Sequence, residues 1–354
     1  MSDLFKIDSH KLMYHPRRVS DWIDGKNIYP IYVEIGPAGQ CNCRCIFCSV
    51  DYIGYKNRSL ETPMLKERLE EMGNLGVKSI MYAGEGEPFL HREMVDIIVH
   101  TKKSGLDAAI TTNGILMSSA ISDRIIEHTE WIKISCNAGT PETYKKIHGT
   151  KPSYFEKVIK NLKEAEKIRR ENGYSCTLGI QIILLPENEQ DVLSLATTAR
   201  DIGLDYIVIK PYTRHSCNSH NFDIQYDRFS WLSEKLNTLN SENFSTIFRI
   251  NAMRHWDRKK RGYKKCLALP FWSHIDAGGN VWGCGAHLED TRFYYGDINT
   301  HTFQEIWEGE KRQESLSWVE NSFNIEECRM NCRMDKVNQY LWDLKNPVEH
   351  VNYI

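Results

Sequence analysis

Residues 41–48 read Cys-Asn-Cys-Arg-Cys-Ile-Phe-Cys, directly after a short apolar run, Ile-Tyr-Val-Glu-Ile-Gly at 31–36. A strand that ends in a thiol-rich loop must place that loop at one edge of a sheet, so this octet constrains the fold more than any other stretch. Cys41, Cys45 and Cys48 have C-x3-C-x2-C spacing. Three thiolates that close can hold three corners of one soft metal centre. A structural zinc site wants four closed ligands, and no second C-x2-C or H-x3-H lies nearby. A redox disulfide pair is a further alternative. An open corner on an iron–sulfur cluster is where a small molecule can bind and receive an electron.

Downstream, apolar or β-branched runs recur at Ser79–Ala83, Ala108–Thr112, Trp131–Cys136, Leu178–Leu185 and Tyr206–Ile209. Amphipathic stretches near Met64–Leu75, Arg92–Ser104, Ser119–His128, Tyr154–Asn172 and Glu189–Ile202 separate them. Six strands with helices between them predict an α/β fold of parallel βα units, wound right-handed into an open or closed barrel. The alternative is an ordinary doubly wound sheet. In barrels the chemistry sits at the C-terminal ends of the strands, where the cysteine loop falls. Before the first strand, a polar extension carries one short helix near Arg18–Ile23. After residue 211 a His/Ser/Asn-rich loop leads to a helix near Tyr226–Leu239 and a strand near Ser245–Ile250. The basic stretch 256–265 reads as a solvated linker.

The 354-residue chain suffices for one large domain and a small one, and its net charge of −2 gives no basic footprint for nucleic acid. No run of 18 apolar residues or signal peptide is present, which predicts no membrane span and a cytoplasmic protein. Eleven cysteines in such a chain point to metal sites in a reducing compartment.

Two further motifs carry chemistry. Gly84-Glu85-Gly86-Glu87-Pro88 follows the second strand, where glycines admit a ligand close to the backbone. Lys133, Ser135 and Asn137 alternate to one side of the fourth strand, and polar groups on a buried face need partners. In the last quarter, Ser273–Ala277 and Asn280–Gly285 flank Gly278-Gly279 as a β-hairpin. Cys266, Cys284, Cys328 and Cys332 bracket that hairpin and could make a closed zinc site or a fully ligated [4Fe–4S] cluster.

The octet resembles the cluster motif of the radical S-adenosylmethionine (radical SAM) superfamily, with Phe47 in the position that packs against adenine. Gly86-Glu87 is similar to the superfamily's glycine-glutamate motif, which binds the SAM amino group. Cys266…Gly279…Cys284, Tyr295-Gly296-Asp297-Ile298 and Thr302–Trp307 resemble its SPASM/twitch module. With only Cys328 and Cys332 to follow, the chain is closer to the shortened twitch form with one auxiliary cluster.

The resemblance implies a partial (β/α)6 barrel over 31–225, an N-terminal extension over 1–30, a linker over 226–263 and a β-hairpin-plus-helix cluster domain over 264–354. It implies a [4Fe–4S] cluster on Cys41, Cys45 and Cys48 bound to SAM, and one auxiliary [4Fe–4S] cluster. Phe47, Gly86, Glu87, Asn113, Ser135, Asn137 and Gln181 are the implied SAM contacts. An external one-electron reductant of flavodoxin or ferredoxin type would be needed.

The implied reaction is hydrogen-atom abstraction by a 5′-deoxyadenosyl radical, leading to oxidation or epimerisation. The expected substrate is a small polar metabolite of sugar, aminocyclitol or nucleotide type, since no leader-binding module fits within the chain. The alternative is a peptide matured by epimerisation or cross-linking. Cys217, just past the sixth strand, is a candidate hydrogen-atom donor. Lys210, Tyr212, Arg214, His215, His220 and His287 are candidate substrate contacts. An electron-transfer iron–sulfur protein is the non-enzyme alternative.

Overall fold

The computed structural model describes residues 5–215, 217, 218, 220 and 222–353. Seven strands follow one another as β1 (Tyr32–Ile35), β2 (Ser79–Tyr82), β3 (Asp107–Thr112), β4 (Trp131–Ser135), β5 (Thr177–Ile183), β6 (Tyr206–Lys210) and β7 (Ser245–Phe248). Neighbours in that series pair in parallel. The C-terminal strands are β8 (Trp272–Ile275), β9 (Asn280–Trp282) and β10 (Tyr294–Asp297). The C-terminal module was expected to be separate, but it shares the sheet. β8 pairs in parallel with the free edge of β1, giving ten strands in the order β10-β9-β8-β1-β2-β3-β4-β5-β6-β7. The barrel is therefore open, and Ser245–Phe248 adds a seventh parallel strand to the expected six.

Helices α1 (Pro16–Ile23), α2 (Thr62–Asn74), α3 (Met94–Lys103), α4 (Ser119–Ile125), α5 (Pro141–His148), α6 (Ser153–Asn172) and α7 (Val192–Ile202) precede β6. Then come α8 (Ser230–Asn237), α9 (Ile250–Arg258), α10 (Phe303–Glu308), α11 (Glu310–Asn321) and α12 (Asp335–Lys345). Strand alternation separates two faces. Val33, Ile35, Ile80, Ile110, Ile132, Ile134, Ile180, Ile182, Ile207 and Ile209 face the helices and are buried in the main core. The other face lines a lumen. Phe5 and Ile7 pack there against Tyr206, Val208 and Ile247, filling the lumen beside β6 and β7. No helix is long and apolar enough to cross a membrane among the described residues.

The basic stretch differs from the expected linker. Trp256 in α9 packs edge-on against Tyr212 and Tyr226. Arg261 donates to the carbonyls of Ile325, Cys328 and Arg329 at 2.7–2.8 Å. Three carbonyls in an irregular turn need donors, and a guanidinium fork supplies them.

Candidate functional site

The cysteine loop is held at the C-terminal ends of the strands by backbone contacts on several sides. The last turn of α5 leaves carbonyls without helical partners, and those of Ile147 and His148 accept the amides of Ile46 and Arg44 at 3.0 and 2.9 Å. Gly149 follows in the left-handed region (φ 56°), where a Cβ would meet the Arg44 carbonyl at 2.3 Å. Gly86 approaches from the other side, and its Cβ would meet the carbonyls of Ala38 and Gln40 at 2.0 and 2.4 Å. Both glycines are required by close approach to the loop.

Cys41, Cys43, Cys45 and Cys48 gather there. The Tyr55 hydroxyl lies within electrostatic reach of Cys48, Cys45 and Cys41. Cys43 Sγ, Cys45 Sγ and a ring nitrogen of His148 lie within 4.8 Å of one another. The amide two residues on donates to the sulfur at Cys41, Cys284 and Cys332, at 3.4 Å in each case. Such bonds favour a thiolate and tune a cluster it binds. The Cys43 side chain is 2% exposed and packs in the core.

His148 escaped the sequence reading. The signal was available: Thr140-Pro141 caps a helix and Gly149 stops it. The ring is buried, stacked on Tyr144 at 4.2 Å and edge-on to Phe47 at 5.8 Å. Its Nε2 accepts the Asn137 amide at 3.0 Å, which assigns the proton to Nδ1. Nδ1 lies 3.3 Å from Cys45 Sγ and donates to it. Burial lowers the ring pKa to about 3, so it is neutral.

The expected SAM contacts divide into two groups. Glu87 is 2% exposed and accepts from the amides of Phe89 (3.2 Å) and Asn113 (2.8 Å) and from the Thr112 hydroxyl. Burial pushes its pKa up while those donors oppose the shift. Asn113 bonds to Asn42 and Ile115, and Asn137 Oδ1 accepts the Ile183 amide at 2.6 Å. These three side chains are committed to the scaffold. Ser135 and Gln181, register partners on β4 and β5, present polar groups to the lumen with no bond among the described residues. Glu87→Ala is expected to destabilise the SAM-free protein by about 1–3 kcal/mol, the cost of leaving buried donors unpaired. Thermal unfolding without SAM checks this, and an unchanged melting temperature would return Glu87 to a purely ligand-facing role.

Cys266, Cys284, Cys328 and Cys332 line one cavity with Tyr263, Trp272, Phe293, Phe323 and Met334. Burial pushes the Cys266 and Cys284 thiols up to about 12 and those of Cys328 and Cys332 above their usual value. Four enclosed soft donors in an apolar shell fit a cluster whose positive iron offsets thiolate burial. His287 lies 3.6 Å from Cys328 Sγ and stacks on Phe293 at 4.1 Å.

The loop after β6 spans both sites. Asn218 Nδ2 donates to the Cys48 carbonyl at 2.9 Å, and His215 Nε2 bonds to the Ala286 carbonyl at 2.8 Å while stacking on Tyr52. Cys217, an exposed turn residue, donates its amide to His215 Nδ1 at 3.1 Å. Tyr212 donates to the His220 carbonyl, and Arg214 is exposed. Lys133 and Lys210 point into the lumen. Burial brings Lys133 down to about 8, with Arg249 adding to the effect. Lys210 is driven well below its ordinary value by burial and then by Lys133, Arg249 and Arg329.

A sequence model of the radical SAM superfamily matches residues 35–199, and one of an iron–sulfur cluster-binding domain, SPASM, matches 266–333. A GTP 3′,8-cyclase of Clostridium acetobutylicum is 32% identical over 148 residues, 41% of this chain and 45% of that protein. A probable GTP 3′,8-cyclase of Methanothermobacter thermautotrophicus is 27% identical over 190 residues, 52% of this chain and 59% of that one. The chain thus spans about half the length of these curated relatives. Among solved structures, Streptococcus suis SuiB bound to precursor peptide SuiA superposes with TM-score 0.66 at 15% identity, covering 88% of this chain and 71% of that one. Native anSMEcpe with bound AdoMet gives 0.60 at 16% identity, covering 88% of each. At these identities the structural likeness shows the fold alone.

Proposed function

The chain belongs to the radical SAM superfamily, with that domain at residues 35–199 and a SPASM domain at 266–333, and from this premise we propose that it abstracts a hydrogen atom from a C–H bond of a small polar metabolite, leading to oxidation or epimerisation. It is a radical SAM enzyme whose cofactors are SAM on a [4Fe–4S] cluster and an auxiliary iron–sulfur cluster. When bound, the SAM-binding cluster would pass one electron from the reductant to SAM, which would part into methionine and a 5′-deoxyadenosyl radical.

The residues of the chain hold, orient and shield. Cys41, Cys45 and Cys48 hold the SAM cluster, and His148 Nδ1–H steadies the Cys45 sulfur. The backbone at Gly86, with Ser135 and Gln181, faces SAM, and Phe47 packs beside its adenine. Cys266, Cys284, Cys328 and Cys332 hold the auxiliary cluster. The electron comes from an external flavodoxin- or ferredoxin-type partner.

One observation carries the choice of a small substrate. The segment just after the C-terminal hairpin is tied at Ala286 to His215 of the β6 loop and at Leu288 to Tyr52 of the segment after the cysteine loop, and these ties narrow the lumen mouth. A narrowed mouth suits a compact ligand better than an extended peptide. The curated relatives, named for a reaction of GTP, agree with that class. The test is 5′-deoxyadenosine formation by anaerobic protein given SAM and reductant, with fractionated extracts. Stimulation by a peptide-free metabolite fraction is expected, and stimulation by a peptide fraction alone would overturn the choice.

Cys217 separates epimerisation from oxidation. In the epimerase version its Sγ–H gives a hydrogen atom to the opposite face of the substrate radical. The thiyl left behind regains the thiol by taking one electron and one proton. Product made in D2O is then expected to carry one solvent deuterium at the inverted carbon. Cys217→Ala is expected to stop product formation while substrate-dependent SAM cleavage continues. Product without deuterium and two electrons more oxidised than substrate assigns oxidation instead.

A further inference from the structure

We propose that His148 is a positioning residue of the SAM cluster: its Nδ1–H, held against Cys45 Sγ, raises the reduction potential of the cluster and sets how readily an external carrier can charge it. The inference rests on the reading that Cys41, Cys45 and Cys48 hold that cluster, and adds to it the side chain that governs its redox poise.

The contact is built from two directions. The cysteine loop lies against the end of α5, where the Arg44 amide meets the His148 carbonyl at 2.9 Å and the Ile46 amide meets that of Ile147 at 3.0 Å. Those two bonds flank Cys45 and bring its sulfur to the ring of the same residue, 3.3 Å from Nδ1. The ring is held as well. It is 1% exposed and stacked on Tyr144 at 4.2 Å. Its Nε2 accepts the Asn137 backbone amide at 3.0 Å, and the Asn137 side-chain amide lies 3.4 Å from the same atom. Asn137 is fixed in turn, since its Oδ1 accepts the Ile183 amide at 2.6 Å and its carbonyl accepts from Asn188 Nδ2 at 2.9 Å.

That tautomer decides what His148 does. Cys43 Sγ, Cys45 Sγ and a ring nitrogen within 4.8 Å of one another have the spacing of a metal-ligand set. A neutral imidazole offers one ring lone pair, however, and Asn137 takes it at Nε2. Nδ1 is left as a donor, and Cys45 Sγ is the atom it meets. Reduction adds one negative charge to a cluster, so a donor on a ligand sulfur stabilises the reduced form more than the oxidised one and raises the potential. Cys41 takes its donor from the backbone, the Cys43 amide at 3.4 Å. Cys45 takes one from a side chain, so a substitution can remove it and leave the loop's backbone bonds in place.

The test is a redox titration of full-length, anaerobically reconstituted protein, followed by electron paramagnetic resonance. The signal that changes on adding SAM reports the SAM cluster and not the auxiliary one. His148→Phe keeps a ring against Tyr144 but carries no N–H. It is expected to lower the cluster's reduction equilibrium constant by about tenfold, which is about 59 mV for one electron. His148→Asn puts an amide N–H near the place of Nδ1 and is expected to recover most of that shift, which a purely structural role would not do. In the parent grown with isotopically labelled histidine, the SAM-sensitive signal is expected to show a weak coupling to the labelled nitrogen. That measurement needs no variant and holds even where His148→Phe fails to take up iron. An unshifted potential in His148→Phe, an equal shift in His148→Asn, or no nitrogen coupling in the parent overturns the donor role. A coupling as strong as direct iron ligation overturns it too, and makes His148 a ligand. Absence of any SAM-sensitive signal removes the cluster assignment and the inference with it, whereas such a signal without the His148 effects removes the inference alone.

Discussion

Replacing Cys41, Cys45 and Cys48 together by alanine is expected to abolish reductive cleavage of SAM while the chain stays folded. The three sulfurs sit in a loop, and the ten-stranded sheet beneath it keeps its pairing without them. Cys43 is the sharp control. It stands within 4.8 Å of Cys45 Sγ and His148, so proximity alone would make it a ligand. Yet it falls outside the C-x3-C-x2-C register of Cys41, Cys45 and Cys48, and its side chain is 2% exposed in the core. Cys43→Ala is therefore expected to keep cleavage and lose about 1 kcal/mol of stability, the ordinary cost of a small buried truncation. Continued 5′-deoxyadenosine production by the triple variant would sink the assignment of these three thiols. Loss of it in Cys43→Ala, with the fold intact, would move the cluster onto Cys43.

The second large effect is in metal content. Two [4Fe–4S] clusters imply iron and sulfide near about eight per chain. Cys328→Ala with Cys332→Ala is expected to bring both to about four, leaving SAM cleavage measurable. The melting temperature should fall as well, because the auxiliary cavity lies among Trp272, Phe293 and Phe323 and its contents help fill it. About four iron and one zinc in the parent would make this a structural zinc site, and electron transfer through it would have no basis.

The parallel strands were legible in alternation and apolar runs, and the two groups of neighbouring cysteines in thiol spacing; whether the barrel closes was not, since that turns on the distant pairing of β1 with β8. The scaffold roles of Glu87, Asn113 and Asn137 were not. A carboxylate beside glycines looks available for a ligand until the donors from Thr112 and Asn113, a strand away, are in view. Arg261 was hidden for the same reason, since its three carbonyl partners lie more than sixty residues on. His148 was missed for a different reason. Its helix is short, and its contact with Cys45 joins residues 103 apart.

The pairing of β1 with β8 has a consequence for how the chain is made. Tyr32 leaves the ribosome well before its partner Trp272, with most of the parallel sheet made between them. At about 5–20 residues per second, the β1 edge waits on the order of tens of seconds for its neighbour. An apolar edge left open that long is a template for pairing between chains. Nascent chains would thus stay open to aggregation until residue 272 has been made, and chains broken off before it would keep that edge open permanently.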